Sequence, residues 1–319
     1  MSHTYLHVSP TNDAAFHLAL EEIFLKEGEG DLIFLYINSP CVVIGKHQNA
    51  YAETNSAWCD QNGIPVFRRL SGGGTVFHDE GNINFCFIRD MEAKDKMIDF
   101  ERFLRPIQEF LGTKGVEAVF SGRNDLLVDG FKISGNAEHV HQKRTRVIHH
   151  GTILVHAAIG SLNTAIHPSP RVAYNSKAVQ SVRSKVRNLN HFFSKPVQAT
   201  DLMTELGAWL SLKTGASGLD LDRYKEQVNA LAMSKYSQGE WNYGYSPSYQ
   251  AELFLSEGAS ILLEVKKGIV TKAEFSEQGS VVPLPEAQGK AHNKELLNEL
   301  AAMPMFKGTE FAKDPSSYL

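Results

Sequence analysis

Three consecutive glycines lie inside the run Arg68-Arg69-Leu70-Ser71-Gly72-Gly73-Gly74-Thr75-Val76-Phe77-His78-Asp79. A turn without Cβ atoms lets backbone N–H groups approach a ligand closely and cradle phosphate or carboxylate oxygens. Arg69 beside the turn offers a planar, permanently charged fork suited to an anion. Glycines alone would more simply make a bulged hairpin turn. The run is not a Walker A loop, because no Gly-Lys-Ser/Thr follows. Nor is it a dinucleotide fingerprint, whose spacing differs and which opens a helix.

A second segment couples Gly122-Arg123-Asn124-Asp125-Leu126 to Gly130-Phe131-Lys132-Ile133-Ser134-Gly135-Asn136-Ala137. In a strand, Lys132 faces away from Phe131 and Ile133. It could enter a cleft and draw two anions together, although a lone strand lysine is more often solvated. Asp125 is a candidate Mg2+ ligand near a pyrophosphate, with a plain turn residue as the alternative. His149 and His150 are adjacent, so on a strand they face opposite ways and cannot readily share a metal ion. We read His150 as a positioning group. Lys143-Arg144-Thr145-Arg146 and Arg183-Ser184-Lys185-Val186-Arg187 read as solvated faces where an acidic partner could dock.

These residues need elements to hold them. Thr11-Asn12-Asp13 is a helix start, with Phe16, Leu20, Ile23 and Phe24 at helical spacing after it. Residues 32–37 and 42–44 read as strands around the turn Asn38-Ser39-Pro40, and residues 53–62 as a short helix. Strands are expected at 64–70, 82–88, 125–128, 131–134 and 147–155, with a short one near Ala118 and a helix at 100–111. Helices at 202–212 and 221–233 lead to a turn-rich break at Trp241–Pro247. A three-strand meander (251–255, 261–265, 269–275) and a helix (295–301) follow. Strands and helices mix without βαβ regularity, which predicts an α+β fold with a mixed sheet flanked by helices. A length of 319 residues is long for one core. We expect a catalytic domain over 1–245 and a small α+β accessory domain over 246–319.

Composition narrows the function. The net charge of −4 does not favour a nucleic-acid partner. Three widely spaced cysteines (Cys41, Cys59, Cys86) make neither a disulfide framework nor a zinc site. The first residues lack a basic stretch before an apolar run, and no stretch of about 18 apolar residues occurs. A soluble cytoplasmic monomer, with no membrane contact, is expected.

Together the motifs resemble those of lipoate–protein ligases. Arg68–Asp79 is similar to the family's RRxSGGGxVFHD signature, Gly122–Leu126 to GRNDL, and Lys132–Ala137 to K-[VI]-SG-x-A. His149-His150-Gly151-Thr152-Ile153-Leu154, Ser181–Leu189 and Trp241-Asn242-Tyr243-Gly244 resemble its HHGTLL, SVRSRVTNL and WNxG segments. The resemblance implies the biotin/lipoate ligase fold and two half-reactions: adenylation of lipoate by ATP, then transfer to a lysine. It implies nucleotide contacts from Arg69, Ser71, Gly72, Gly73, Gly74, Thr75, Val76, Phe77 and Asn82. Lys132 would touch both ATP and lipoate, and His150 would contact lipoate. ATP and Mg2+ are the implied cofactors. Acceptor lipoyl domains of 2-oxoacid dehydrogenase acyltransferase subunits and the glycine-cleavage carrier protein are the implied partners, in a salvage role. One departure is Glu138-His139-Val140-His141, where many bacterial members carry an arginine; a loop over 138–146 is expected to close over the adenylate. An apolar tunnel is expected from residues such as Val43, Phe77, Phe85 and Leu154.

Rival readings are weaker. An octanoyl- or lipoyltransferase of the same fold needs a cysteine nucleophile after the I-x-P motif. Ile166-His167-Pro168 matches that motif, but no cysteine follows Cys86. A biotin ligase would need GRGRxGR-type and KWPND-like stretches, and neither is present. A catalytically dead lipoate-binding protein would be marked by absent ATP turnover.

Overall fold

The computed structural model describes residues 3–92 and 95–319. Among these residues the largest sheet runs, edge to edge, through β12 (Ser217–Gly218), β1 (Thr4–Val8), β2 (Asp31–Tyr36), β6 (Asn82–Asp90), β10 (Arg146–Leu154), β9 (Phe131–His141), β8 (Asp125–Val128) and β7 (Val119–Phe120). Pairing of β1 with β2 and β12 is parallel, and the other pairings are antiparallel. The sheet is therefore mixed, as the sequence predicts.

Both faces are covered, and strand periodicity explains how. On β2, Ile33 and Leu35 enter one core with Phe103, Ile107, Leu202 and Leu206. Leu32, Phe34 and Tyr36 enter another with Phe16, Leu20, Phe24 and Tyr224. Alternate side chains of one strand thus serve two layers. The first layer is α4 (Phe100–Thr113) and α6 (Ala199–Thr214); the second is α1 (Ala14–Glu27) and α7 (Asp222–Leu231). Asp13 caps α1, accepting from the N–H groups of Ala15 and Phe16 at 2.9 and 3.2 Å.

A small sheet, β4 (Val66–Arg68), β3 (Cys41–Ile44) and β5 (Val76–His78), carries the glycine loop between β4 and β5. Beside it, the helix expected over 53–62 is divided into α2 (Ala50–Glu53) and α3 (Ser56–Gln61). Asn49 and Asn55 each turn a side-chain oxygen onto a new helix start, at Tyr51 N and Trp58 N, so the chain begins twice. A short α5 (Ile159–Ala165) follows β10.

The last sheet runs β11 (Val172–Ser176), β13 (Tyr249–Ser256), β14 (Ala259–Lys266), β15 (Ile269–Glu277) and β16 (Ser280–Pro283). It packs on α8 (Lys294–Ala301) through Leu253, Leu263, Leu297 and Phe306. Its edge strand β11 and its core residue Tyr51 both come from the stretch before residue 246. The segment expected as a turn-rich break is helical instead, a π-type turn over Glu240–Gly244. Its carbonyls have a donor that local sequence cannot reveal. Arg68, fully buried, donates to the carbonyls of Trp241 and Asn242 and to Ser246 Oγ.

Candidate active site

An open cavity of about 180 Å³ lies where the glycine loop faces β9 and β10. Its floor starts with the loop. Gly73 has φ +89°, a conformation that only glycine adopts without strain. A Cβ on Gly45 would stand 2.2 Å from the Gly73 carbonyl oxygen, so the two backbones can touch only because Gly45 has none.

Arg69 holds this loop in shape. Nη2 donates to the carbonyls of Gly72 (2.7 Å) and Gly74 (2.8 Å), Nη1 to Val43 O (3.1 Å), and Nε to Ser71 Oγ (3.0 Å). The guanidinium borders the cavity, yet its donors are largely engaged by protein oxygens. Arg69 thus clamps the loop as well as bordering the cavity, with four bonds from the planar fork to protein oxygens. Burial lowers its pKa to about 10, with Glu21 and Tyr36 acting in the opposite direction.

Ser71 is fully buried and meets His150 Nε2 at 2.5 Å; His150 Nδ1 meets Glu21 at 2.8 Å, and the Tyr36 hydroxyl donates to Glu21 at 3.0 Å. This chain fixes the orientation of the imidazole at the cavity wall. His149 faces away, toward Glu138 at 2.9 Å and the ring of Phe103. The two adjacent histidines thus serve opposite faces, as strand geometry requires. A parallel polar chain runs His17–Asn38–His78 (2.6 and 2.9 Å). Burial drives His17 to about 4 and His78 to about 3, so both rings are neutral near pH 7.

Across the cavity, Lys132 Nζ lies 2.8 Å from Asp125. Gly135 makes room for the lysine: a Cβ there would stand 2.9 Å from Lys132 Cε. Asn124 and Asn136 clamp the Asp125 turn onto β9 by reciprocal bonds, each side-chain amide donating to the other's carbonyl (2.7 and 2.9 Å).

Of the residues singled out from sequence, Arg69, Gly73, Gly74, Thr75, Val76, Asp125, Lys132 and His150 border this one cavity. Ser71, Gly72, Phe77 and Asn82 do not. Ser71 supports Arg69 and His150, and Gly72 contributes a carbonyl to the clamp. Phe77 packs with Val42, Ile44 and Val66. Asn82 accepts from Asp79 N (2.9 Å) and donates to Asn84 (3.1 Å). Of the expected tunnel residues only Val43 borders the cavity; Phe85 belongs to the core under α4, and Leu154 is buried at the end of β10. Apolar side chains on the cavity wall include Leu18, Tyr36, Val43 and Val76. The stretch expected as a closing loop is a paired hairpin: β9 and β10 stay in register out to His141 and Arg146.

Sequence reasoning missed Glu53. Its buried carboxylate accepts from Ser181 N (3.2 Å), from Ser181 Oγ and from Thr75 Oγ1 (3.3 Å). It therefore ties the glycine loop to the segment that crosses the cavity mouth. A lone glutamate in a short helix gives no local signal of such a role. Among the described residues no group of three or more His, Cys, Asp or Glu side chains could hold a metal ion.

A clamped glycine loop faces a strand lysine across a cavity that no cysteine borders, an arrangement suited to binding and activating anions. The family described as the lipoyl protein ligase A/B catalytic domain matches residues 13–211. A lipoate–protein ligase of Bacillus subtilis is 35% identical over 268 residues, covering 81% of this chain and 79% of that protein. Lipoate–protein ligase 1 of Staphylococcus aureus is 34% identical over 303 residues, 90% of each chain. Two solved structures share the fold. One is a bi-partite lipoate protein ligase from Thermoplasma acidophilum, studied with its E2 lipoyl domain (TM-score 0.60, 23% identity, 76% of this chain, 96% of that one). The other is a lipoate–protein ligase A bound with ATP (TM-score 0.62, 23% identity, 76% and 98%). The chain belongs to the lipoate–protein ligase family and is a ligase of the biotin/lipoate ligase superfamily.

Proposed function

We propose that this enzyme uses ATP to activate lipoic acid and then joins the lipoyl group to a lysine of an acceptor lipoyl domain. In the first half-reaction a carboxylate oxygen attacks the α-phosphorus of ATP, and the bond to the departing pyrophosphate breaks. In the second, a neutral lysine amine attacks the acyl carbon, AMP leaves, and the amine loses a proton. The observation that carries this reading is the convergence of Lys132, the Arg69-clamped glycine loop and His150 on one cavity.

The barrier to the first step is electrostatic, since carboxylate and triphosphate repel each other. An ammonium in a partly desolvated cleft offsets that repulsion far better than water does. Lys132 is the group for this role, and the N–H groups of Gly73 and Gly74 are suited to phosphate oxygens. The lipoyl chain fits the recess of Leu18, Tyr36 and Val43. His78 borders the same cavity and its Nε2 has no hydrogen-bond partner among the described residues, which leaves it to the ligand. Mg2+ takes one or two carboxylates plus phosphate oxygens. Asp125, already beside Lys132, fits as the single protein ligand and would hold the cation that neutralises the phosphates. In the second half-reaction Lys132 also discourages protonation of the incoming amine.

A thioester transferase has no support. All three cysteines are buried, and burial pushes their thiols up, Cys59 to about 12. The acceptors we propose are acyltransferase subunits of 2-oxoacid dehydrogenases and the glycine-cleavage carrier protein, in a cytoplasmic salvage role, with the enzyme acting as a monomer. No helix among the described residues is long and apolar enough to cross a membrane. We also propose the division into a catalytic domain (1–245) and an accessory domain (246–319), with residues 172–176 reaching into the latter. The test is lipoate-dependent ATP–pyrophosphate exchange. Exchange with lipoate and not biotin supports the reading; no exchange from folded protein with Mg2+ present sinks it.

A further inference from the structure

The segment 177–187 crosses the mouth of the cavity and is tethered on three sides. Val179 N donates to His47 O (3.2 Å), Thr75 N donates to Ser181 Oγ (2.9 Å), and Glu53 takes both donors of Ser181. At its far end Lys132 N donates to Lys185 O (2.9 Å) and Arg187 N to Lys132 O (3.0 Å). The strap therefore runs beside the proposed catalytic lysine in a fixed register.

Its two sides differ. Gln180, Ser181 and Ser184 border the cavity, whereas Lys177, Arg183 and Lys185 are exposed and lie outside its lining. Among the described residues none of these three cations is paired with a carboxylate. Val179 and Val182 border the cavity and are also 47% and 66% exposed, so the rim is apolar as well as basic. The sequence around the strap is equally one-sided. From His139 to Thr200 there is no Asp or Glu and there are nine Lys and Arg, in a chain that carries 36 acidic residues and a net charge of −4.

We propose that this strap is the docking rim for the acceptor, a protein domain with acidic side chains flanking its target lysine. The inference rests on the transfer half-reaction above. A lysine side chain is short, so an amine that reaches the acyl carbon inside the cavity must bring its surrounding surface against the mouth. The strap forms that border. Cations there raise the encounter rate with an acidic partner and lose the effect in salt. The exposed valines supply the water-excluding contact that charge alone does not.

The experiment uses the full chain and, as probe, a purified lipoyl domain with acidic residues beside its lysine. Lipoate-dependent pyrophosphate exchange and lipoyl transfer are measured at low and high salt for wild type, Arg183→Glu/Lys185→Glu and the milder Arg183→Gln/Lys185→Gln. The expected result is exchange within twofold of wild type in both variants. KM for the domain should rise at least about tenfold in the charge reversal and less in the neutral variant, with kcat at saturating domain retained. The wild-type KM should climb with salt, and the charge-reversed one should not. Normal exchange with an unchanged KM for the domain overturns the docking rim and leaves the ligase reading intact. A KM for ATP that rises in parallel with the KM for the domain also overturns it, because the cations would then serve the nucleotide. Absent exchange in the wild type is a separate outcome that removes both readings.

Discussion

The ammonium of Lys132 lies 2.8 Å from the carboxylate of Asp125, and both border the same cavity. The pair comes from two neighbouring strands, β8 and β9, joined by a two-residue turn. Asp129 at that turn adopts φ +50° and Gly130 φ +78°, the left-handed values that a tight hairpin requires. The lysine is thus held in place before any substrate arrives.

Replacing it should therefore remove chemistry without removing the fold. Lys132→Ala is expected to lower lipoate-dependent pyrophosphate exchange roughly a hundred- to a thousandfold, the usual loss for one charge-stabilising group. Thermal melting should show little change, because the side chain is partly exposed. Asp125→Asn keeps the shape but removes one charge, and its exchange should require more Mg2+ than wild type. Equal Mg2+ dependence would take Asp125 out of the metal role.

Arg69 is expected to behave differently. Arg69→Lys cannot reproduce four bonds from one planar fork, and a few lost bonds to buried carbonyls come to about 3 kcal/mol. Melting temperature should fall by roughly 5–10 °C, together with exchange activity. An unchanged melting temperature with a raised KM for ATP would instead mean that Arg69 contacts the nucleotide directly.

Buried neutral imidazoles make stability depend on pH. Burial lowers His17 to about 4, His78 to about 3 and His292 to about 4, from about 6.5 in an unfolded chain. Above pH 6.5 both states are neutral and these groups add no slope. Below it the unfolded chain takes up protons that the folded chain refuses, so stability is lost as pH falls toward 4. Each group contributes up to about 1 kcal/mol per pH unit in that window. Urea midpoints should be flat from pH 8 to 7 and drop between pH 6.5 and 5. The drop should be shallower in His17→Gln, and an unaltered slope in that variant would place the proton uptake elsewhere.

Arg68 should report on the junction between the small sheet and the accessory sheet. It donates to the carbonyls of Gly45, Lys46, Gln48, Trp241 and Asn242. Arg68→Met fills similar space but removes the guanidinium donor from those oxygens, of which Gly45 O keeps a bond from Gln48 N (3.2 Å), at a cost of about 3 kcal/mol. Amide exchange should accelerate selectively over residues 240–250. Uniform acceleration across the chain would mean that the cost is global rather than local to the junction.

Much of this molecule is written locally. An apolar run placed β2, because a strand between two helical layers must be apolar on both sides. The Asp13 cap and the spacing of Phe16, Leu20 and Phe24 placed α1. Consecutive glycines and an isolated strand lysine marked the site, since few other needs put those residues together. Tertiary structure decided the rest. Whether Arg69 faces an anion or the loop's own carbonyls depends on where a turn folds back. Glu21, Glu53 and Asn38 acquire their roles only from partners on other elements, at His150, Ser181 and His78. The carbonyls of Trp241 and Asn242 meet Arg68, more than 170 residues away in sequence, and β11 joins the accessory sheet through pairing with β13. Local pattern fixes which groups must be buried or bent; only packing fixes which buried donor meets which acceptor.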